Sequence, residues 1–196
     1  MRIIAGSLKG RRLIAPAGSG VRPTSDSLRE TLYNVLGESI GGARVLDAFA
    51  GTGALGLEAI SRGAEHVTFI ERDRSAMRAL ERNVAACGAA NACAIIRGDF
   101  PIALIGVRAE RFGGTSERAE RFDVVLLDPP YDTPDLAAIV AAAAPLVTPP
   151  GQVVLEHSRR RASPEAAGPL RRTRVLTAGD SALSFYAPAP AAAGTG

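Results

Sequence analysis

The chain carries Asp128-Pro129-Pro130-Tyr131 directly after the apolar run Phe122–Leu127. Those four residue types at the tip of a strand can hold a flat, amine-bearing ring. The prolines fix φ and have no N–H, so their carbonyls are not tied into a ladder and can face a cleft. The Asp128 carboxylate adds an acceptor beside them. Together they can take both protons of an exocyclic amine, while the Tyr131 ring stacks on the base that bears it. A strand ending in an ordinary Pro-rich turn has the same letters, so the rest of the chain must decide.

A second constellation is Asp47-Ala48-Phe49-Ala50-Gly51-Thr52-Gly53-Ala54-Leu55-Gly56. Gly51, Gly53 and Gly56 match G-x-G-x-x-G, and Glu71 lies 20 residues past Gly51, the spacing of a nicotinamide dinucleotide site. An NAD-dependent oxidoreductase is therefore one reading. Asp47 opposes it, because a carboxylate ahead of the glycines would repel a pyrophosphate and suits a positive amino group instead. His66 and His157 stand in no motif that would handle a hydride. S-adenosylmethionine fits both constellations. The glycines allow close backbone approach, and Glu71 offers two acceptor oxygens to the ribose hydroxyls. Asp99 can accept from the adenine amine, with Phe100 against its ring and Phe49 in the same loop. Any one of these acids alone could be a surface carboxylate or a helix cap. Asp47, Glu71, Asp99 and Asp128 at the tips of four successive strands describe a pocket. Direct displacement of a methyl group needs no metal, and none is expected.

These residues need a scaffold, and the periodicities supply one. From residue 44 the pattern is strand, turn, helix, repeated: strands at 45–50, 67–71, 92–97, 122–127 and 152–156, with helices to about 62, over 74–87, 101–107 and 136–146. Such alternation predicts a Rossmann-like α/β fold with a mostly parallel sheet covered on both faces. Strands at 172–176 and 182–186, around the turn signal Thr177-Ala178-Gly179-Asp180-Ser181, predict a closing antiparallel hairpin. Ahead of all this, residues 2–6 and 11–15 read as a small hairpin. A Pro/Gly-rich linker at 16–23 follows, then a helix over 26–36 capped by Thr24 or Ser25. The polar segment 108–121 reads as an exposed insertion. The expected organisation is an N-terminal basic hairpin and helix at 1–42, a methyltransferase domain at 43–187 and a disordered tail at 188–196.

At 196 residues with 46% hydrophobic and 22% charged side chains, the chain suits one soluble domain. No stretch reaches the ~18 apolar residues of a membrane span, and the N-terminus lacks a secretory core. Cys87 and Cys93 have no metal-ligand spacing and are expected to be reduced. A cytoplasmic monomer without membrane attachment is expected. The net charge is only +3, but residues 1–25 hold Arg2, Lys9, Arg11, Arg12 and Arg22 and no acid. Residues 159–174 hold Arg159, Arg160, Arg161, Arg171, Arg172 and Arg174 against Glu165 alone. Two basic clusters on a balanced chain point to a phosphate-rich partner, although either alone could be a solvated surface.

The tetrapeptide occurs in methyltransferases that act on amino nitrogens of adenine, cytosine or guanine. The chain as a whole resembles the bacterial small-subunit (16S) rRNA guanine-N2 methyltransferases, a branch of the class I S-adenosylmethionine-dependent enzymes. The specific part of the resemblance is Met1-Arg2-Ile3-Ile4-Ala5-Gly6, Lys9-Gly10-Arg11, and Arg22-Pro23-Thr24 with Asp26, Arg29-Glu30 and Asn34. It implies a seven-stranded sheet, the cofactor at residues 47–56, Glu71 and Asp99, and the target base at residues 128–131. Lys9, Arg11, Arg12, Arg22, Thr24, Arg159 and Arg160 would then contact 16S rRNA or the small ribosomal subunit. Two other readings stay open from the residues: a DNA adenine-N6 or cytosine-N4 amino-methyltransferase, and a non-catalytic RNA-binding protein on the same fold.

Overall fold

The computed structural model of the chain describes residues 1–15, 26–104 and 121–189. The predicted linker at 16–23, the caps Thr24 and Ser25, most of the 108–121 insertion and the tail from residue 190 lie outside them, as do Arg22 and residues 105–107 of the fourth predicted helix.

The elements run α1 (Asp26–Leu36), β1 (Arg44–Asp47), α2 (Ala54–Ser61), β2 (His66–Glu71), α3 (Arg74–Cys87), β3 (Cys93–Arg97), β4 (Phe122–Leu127), α4 (Leu136–Ala143), β5 (Val147–Ser158), β6 (Ala166–Ala167), β7 (Leu170–Ala178) and β8 (Ser181–Pro188). Short side chains start two of the helices. Asp73 accepts from the Ser75 and Ala76 amides at 2.9 and 2.8 Å to cap α3, and Asp135 accepts from Ala138 N at 2.9 Å to cap α4. Gly88, at φ +66°, ends α3 in the left-handed conformation.

The sheet order is β3-β2-β1-β4-β5-β8-β7-β6. β1 to β5 are parallel, and β8, β7 and β6 join antiparallel. There are eight strands rather than the seven the resemblance implied, because Ala166–Ala167 adds a two-residue strand at the edge with no periodicity of its own to announce it. β5 starts five residues earlier than expected: Pro149 and Pro150 cannot donate to a ladder, and the register jumps there from Phe122↔Val147 to Val124↔Gln152. The described part of the helix predicted at 101–107 is a 3₁₀ turn, Ile102–Leu104. There Leu104 N donates to Pro101 O at 3.0 Å, the i→i−3 bond of that tighter turn. The closing hairpin is present and longer than predicted, turning at Gly179-Asp180 between Ala178↔Ser181.

Alternation along the strands divides the core between two faces. Val45, Val67, Phe69, Val124, Leu126, Val154 and Leu183 pack with Leu28, Leu32 and Tyr33 of α1, Leu57 of α2 and Leu80 of α3. Leu46, Ile70, Val125, Leu127, Val153, Leu155 and Tyr186 pack with Leu136 and Val140 of α4. The central strands are buried on both faces, hence their continuous apolar runs. Among the described residues, no helix is long and apolar enough to cross a membrane.

The N-terminal hairpin forms one antiparallel bridge, Arg2↔Arg12, with Ile3 N→Arg11 O at 3.0 Å and Leu13 N→Met1 O at 3.1 Å. Ile3 and Leu13 enter the first core, and Arg2, Arg11 and Arg12 face solvent. The hairpin is pressed onto α2. Gly6 has φ +80°, and a Cβ there would lie 1.8 Å from the Ser61 carbonyl oxygen, so only glycine fits. Glu58, fully buried, accepts from the amides of Ile4 and Ala5 at 2.7 and 3.0 Å and from Arg62 Nε at 2.8 Å. Replacing it strands two amides and a guanidinium. Glu58→Ala is expected to lower unfolding free energy in urea by about 2–4 kcal/mol and to speed hydrogen exchange at Ile4 and Ala5 before α3.

Candidate active site

β1 and β4 are neighbours in the sheet although two further strands separate them in sequence, so their carboxyl ends flank a topological switch point, the usual crevice of an open α/β sheet. Asp47 pairs in register with Leu126, and Ala48 N donates to Leu126 O at 3.0 Å, which puts Asp128 two residues past Asp47's partner on the adjoining strand. Glu71 ends β2, and Asp99 lies just past Arg97, its partner on β3. All four predicted acids therefore share one edge.

Their roles differ. Asp47 is 1% exposed, and its Oδ2 accepts from Gly56 N at 3.0 Å. Its Oδ1 is buried with no hydrogen-bond partner. Burial pushes its carboxyl up to about 7, with the nearby Glu71 charge adding to the rise and the Gly56 and Phe49 amides opposing it. Tyr33 donates its hydroxyl to Leu55 O at 2.6 Å, so one peptide, Leu55–Gly56, is gripped by Tyr33 on its carbonyl and by Asp47 on its N–H. Burial likewise raises the Tyr33 phenol, with Asp47 and Glu58 adding to the rise.

The glycine loop between them is close-packed on one side and open on the other. A Cβ at Gly53 would lie 2.4 Å from Leu80 Cδ1, and one at Gly56 2.2 Å from Phe69 Cε1. A Cβ at Gly51, φ +54°, would meet nothing within 4 Å. Glu71 stands behind this open stretch: Oε2 accepts from Gly51 N at 2.7 Å and Oε1 from Asp73 N at 2.7 Å. Each oxygen keeps a further lone pair for a ligand hydroxyl. Phe49 and Phe100 meet edge-on, 5.9 Å between centroids and 59° between planes, beside the loop. Asp99 is exposed and paired with Arg72 at 3.1 Å, a surface contact that a ligand amine can displace at little cost.

At the lip, Pro129 is buried and Tyr131 is 49% exposed. Thr133 N donates to Pro130 O at 2.9 Å, which closes a turn over Tyr131 and Asp132. The Tyr131 hydroxyl lies 2.8 Å from Ser181 Oγ.

Lys9, Arg12, Arg159 and Arg160 are exposed, while Arg11 is exposed with Nη1 on the Ala86 carbonyl at 2.6 Å. Arg22 and Thr24 lie outside the described residues. The arginine cluster at 159–174 does not act as one patch. Arg172 turns onto Ser163, with Oγ at 2.9 Å, and Arg161 onto the Thr133 and Pro134 carbonyls, because main-chain carbonyls lie within reach of both. Sequence reasoning missed Asn83, which is fully buried. It accepts from Ile14 N at 2.8 Å and donates to Ile14 O at 3.0 Å and Thr52 O at 2.9 Å, tying the N-terminal hairpin to the glycine loop. Its partners are 69 and 31 residues away, and no local pattern signals them. At the opposite, amino edge, a groove of about 260 Å³ is lined by Ser39, Asp123, Thr148 and Gln152. Asp123 is committed there to Arg44 N at 2.9 Å.

Residues 1–187 match the family model described as "Conserved hypothetical protein 95". The chain belongs to that family. A family relative from Bacillus subtilis, "Putative rRNA methyltransferase YlbH", is 36% identical over 188 residues, 95% of this chain and 98% of that protein. "Ribosomal RNA small subunit methyltransferase D" of Escherichia coli is 40% identical over 131 residues, 67% of this chain but only 60% of that protein's length. The solved structure of "Putative methyltransferase yhhF" from Escherichia coli superposes with a TM-score of 0.78 at 31% identity, covering 96% of this chain and 98% of that one. The fold is that of the class I methyltransferases.

Asp47 carries a testable cost. Its carboxyl is raised in the folded protein, so the penalty is absent below about pH 4, grows as pH rises and is complete above about 7. Asp47→Asn, which keeps an acceptor for Gly56 N, is expected to gain on the wild type in unfolding free energy, from urea titrations, between pH 4 and 7. The gap should be flat above that, on the order of 1–4 kcal/mol.

Proposed function

We propose that this chain transfers a methyl group from S-adenosylmethionine to the exocyclic N2 of a guanine in small-subunit 16S rRNA. The observation that carries the reading is the junction of β1 and β4. It sets the open glycine loop beside Asp128–Tyr131, in a chain that aligns almost end to end with a relative named as an rRNA methyltransferase.

The residues present suit the cofactor. Bound there, S-adenosylmethionine supplies an electrophilic methyl on a sulfonium. Glu71 would hold the ribose hydroxyls, Asp99 and Phe100 the adenine, and the unpartnered Oδ1 of Asp47 the amino group. Of the three glycines, Gly51 is the one on the open side where a ligand would lie, while Gly53 and Gly56, expected from sequence to make room for the cofactor, lack a side chain because Leu80 and Phe69 pack against them.

On the substrate side, the amine lone pair of guanine is delocalised into its ring and is a poor nucleophile. Asp128 and the Pro129 carbonyl accept its two N–H groups and bias the nitrogen toward tetrahedral geometry. Tyr131 stacks on the flipped base and holds it in line. The methylated nitrogen is acidic enough to lose its proton to water, so orientation is the main work of Asp128. Lys9, Arg11, Arg12, Arg159 and Arg160, with Arg22 and Thr24, would meet the RNA backbone and select the nucleotide that enters.

The deciding experiment incubates the protein and radiolabelled S-adenosylmethionine with naked 16S rRNA, assembled small subunits and duplex DNA, then identifies the modified nucleoside by mass. Label on guanine N2 of rRNA is expected; label on adenine or cytosine of DNA would replace this reading with that of a DNA amino-methyltransferase. Asp128→Ala should cut turnover by about 10²–10³ or more while S-adenosylhomocysteine affinity, by calorimetry, stays within a few-fold. Lys9→Ala with Arg12→Ala should weaken RNA binding and flatten its log–log salt dependence by roughly 1.4–1.8, with cofactor affinity unchanged. Equal loss of both affinities would make the hairpin purely structural.

A further inference from the structure

Of the arginines between 159 and 174, Arg161 is the one bonded to the lip. Its Nη1 donates to the Thr133 carbonyl and its Nη2 to the Pro134 carbonyl at 2.5 Å. Those carbonyls lie two and three residues beyond Tyr131. The Thr133 N→Pro130 O bond, 2.9 Å, makes residues 130–133 one turn with Tyr131 inside it. Arg161 therefore holds the far end of the turn that aims the tyrosine. On the other side, Ser181 Oγ meets the tyrosine hydroxyl at 2.8 Å.

Arg161 is itself fixed in place. Its amide donates to Ser158 O at 3.0 Å, and its carbonyl lies 2.9 Å from His157 Nδ1. His157 is buried, with Nε2 2.8 Å from Ser184 Oγ, and Ser184 Oγ is 2.7 Å from Ser163 Oγ. The end of β5 thus anchors a tight turn from which a planar guanidinium spans two consecutive carbonyls. A lysine ammonium cannot reproduce that fork.

We propose that Arg161 is a positioning residue for methyl transfer. By clamping Thr133 and Pro134 it sets the gap between the Tyr131 ring and the Asp128 carboxylate, and so where the target base comes to rest. The proposal deepens the assignment of residues 128–131 as the base site and rests on it. It gives Arg161 a role apart from that of Arg159 and Arg160, with which sequence alone groups it in one basic cluster.

The test uses the full chain with Arg161→Ala and Arg161→Lys, and Arg160→Ala as the reference for a phosphate contact. In Arg161→Ala, kcat should fall about 10–100-fold, the loss expected when a base is held about 1 Å out of place. S-adenosylhomocysteine affinity and the salt slope of RNA binding should stay at wild-type values. Arg161→Lys should recover less than a tenth of the lost rate, and millimolar guanidinium should restore part of it. Arg160→Ala should instead raise the RNA KM and make the salt slope shallower by about 0.7–0.9. Amide exchange at Tyr131, Asp132, Thr133 and Asp135 should quicken in Arg161→Ala while α3 keeps its protection, which separates a loosened lip from a destabilised fold. Wild-type kcat in Arg161→Ala, with or without a shallower salt slope, overturns the proposal, as does unchanged exchange across the lip. If the wild type itself methylates no RNA, the base-site assignment fails and this role for Arg161 fails with it, while the exchange data still report whether the clamp exists.

Discussion

One peptide group holds the crevice together. The Leu55–Gly56 amide sits at the start of α2, its carbonyl taken by the Tyr33 hydroxyl at 2.6 Å and its N–H by the Asp47 carboxylate at 3.0 Å. Those two bonds join α1, β1 and α2 at the point where the glycine loop must leave the sheet. A β1–loop–α2 connection with no side chain at residues 51, 53 and 56 could collapse in many ways; gripping its far end from two elements leaves one. The cost shows in Asp47 itself, whose carboxyl burial drives up to about 7. Its second oxygen, buried and unpartnered, is the part of that cost a cationic ligand group can relieve. Such unsatisfied groups concentrate at functional sites.

The same economy links the N-terminal hairpin to the loop. Ile3 and Leu13 lie in the core that α1, α2 and the sheet share, and Glu58, Ser61 and Asn83 satisfy the hairpin's backbone. Asn83 spans from Ile14 to Thr52, so a displacement of the hairpin is felt by the glycine loop through one side chain. As we propose, the hairpin is the RNA-facing part of the molecule. Its basic side chains point outward because its apolar ones are already used as an anchor.

Elements with strong periodicity or punctuation were legible in the sequence. α1, α3 and β4 run over the predicted residues, since each combines an apolar repeat with a cap, a glycine or a proline at its end. The four acids could be assigned to one edge because each follows a strand of a parallel sheet. What sequence could not show were contacts with no local trace. Arg161 reaches Pro134 from 27 positions away, and its composition is that of its solvated neighbours. Burial of Asp47 was likewise invisible, because an acid after a strand reads the same whether it faces a ligand or braces a turn. Strand β6, two alanines long, and the early start of β5 across two prolines fail for the converse reason: the ladder is set there by neighbours, against local propensity.

Charge placement argues for how a nucleic acid would approach. The carboxyl edge carries Glu71, Asp128 and the buried Asp47, with Asp99 paired to Arg72, so a phosphate entering the crevice meets carboxyl acceptors that offer it no favourable partner. The exposed bases lie to its sides. Lys9, Arg11 and Arg12 are on the hairpin against α2 and α3, while Arg159 and Arg160 are just past the end of β5, beside the Gly179-Asp180 turn, where Arg159 N meets Asp180 O at 2.8 Å. A polyanion can satisfy both only by laying its backbone across the flanks and presenting to the centre a group with no charge and protons to donate. An exocyclic amine on a base turned out of its stack meets that description, and a phosphate or a carboxylate does not. On the reading proposed above, the acids that look unsuited to RNA would serve selection: they would keep the backbone out of the one place where a base nitrogen has to arrive.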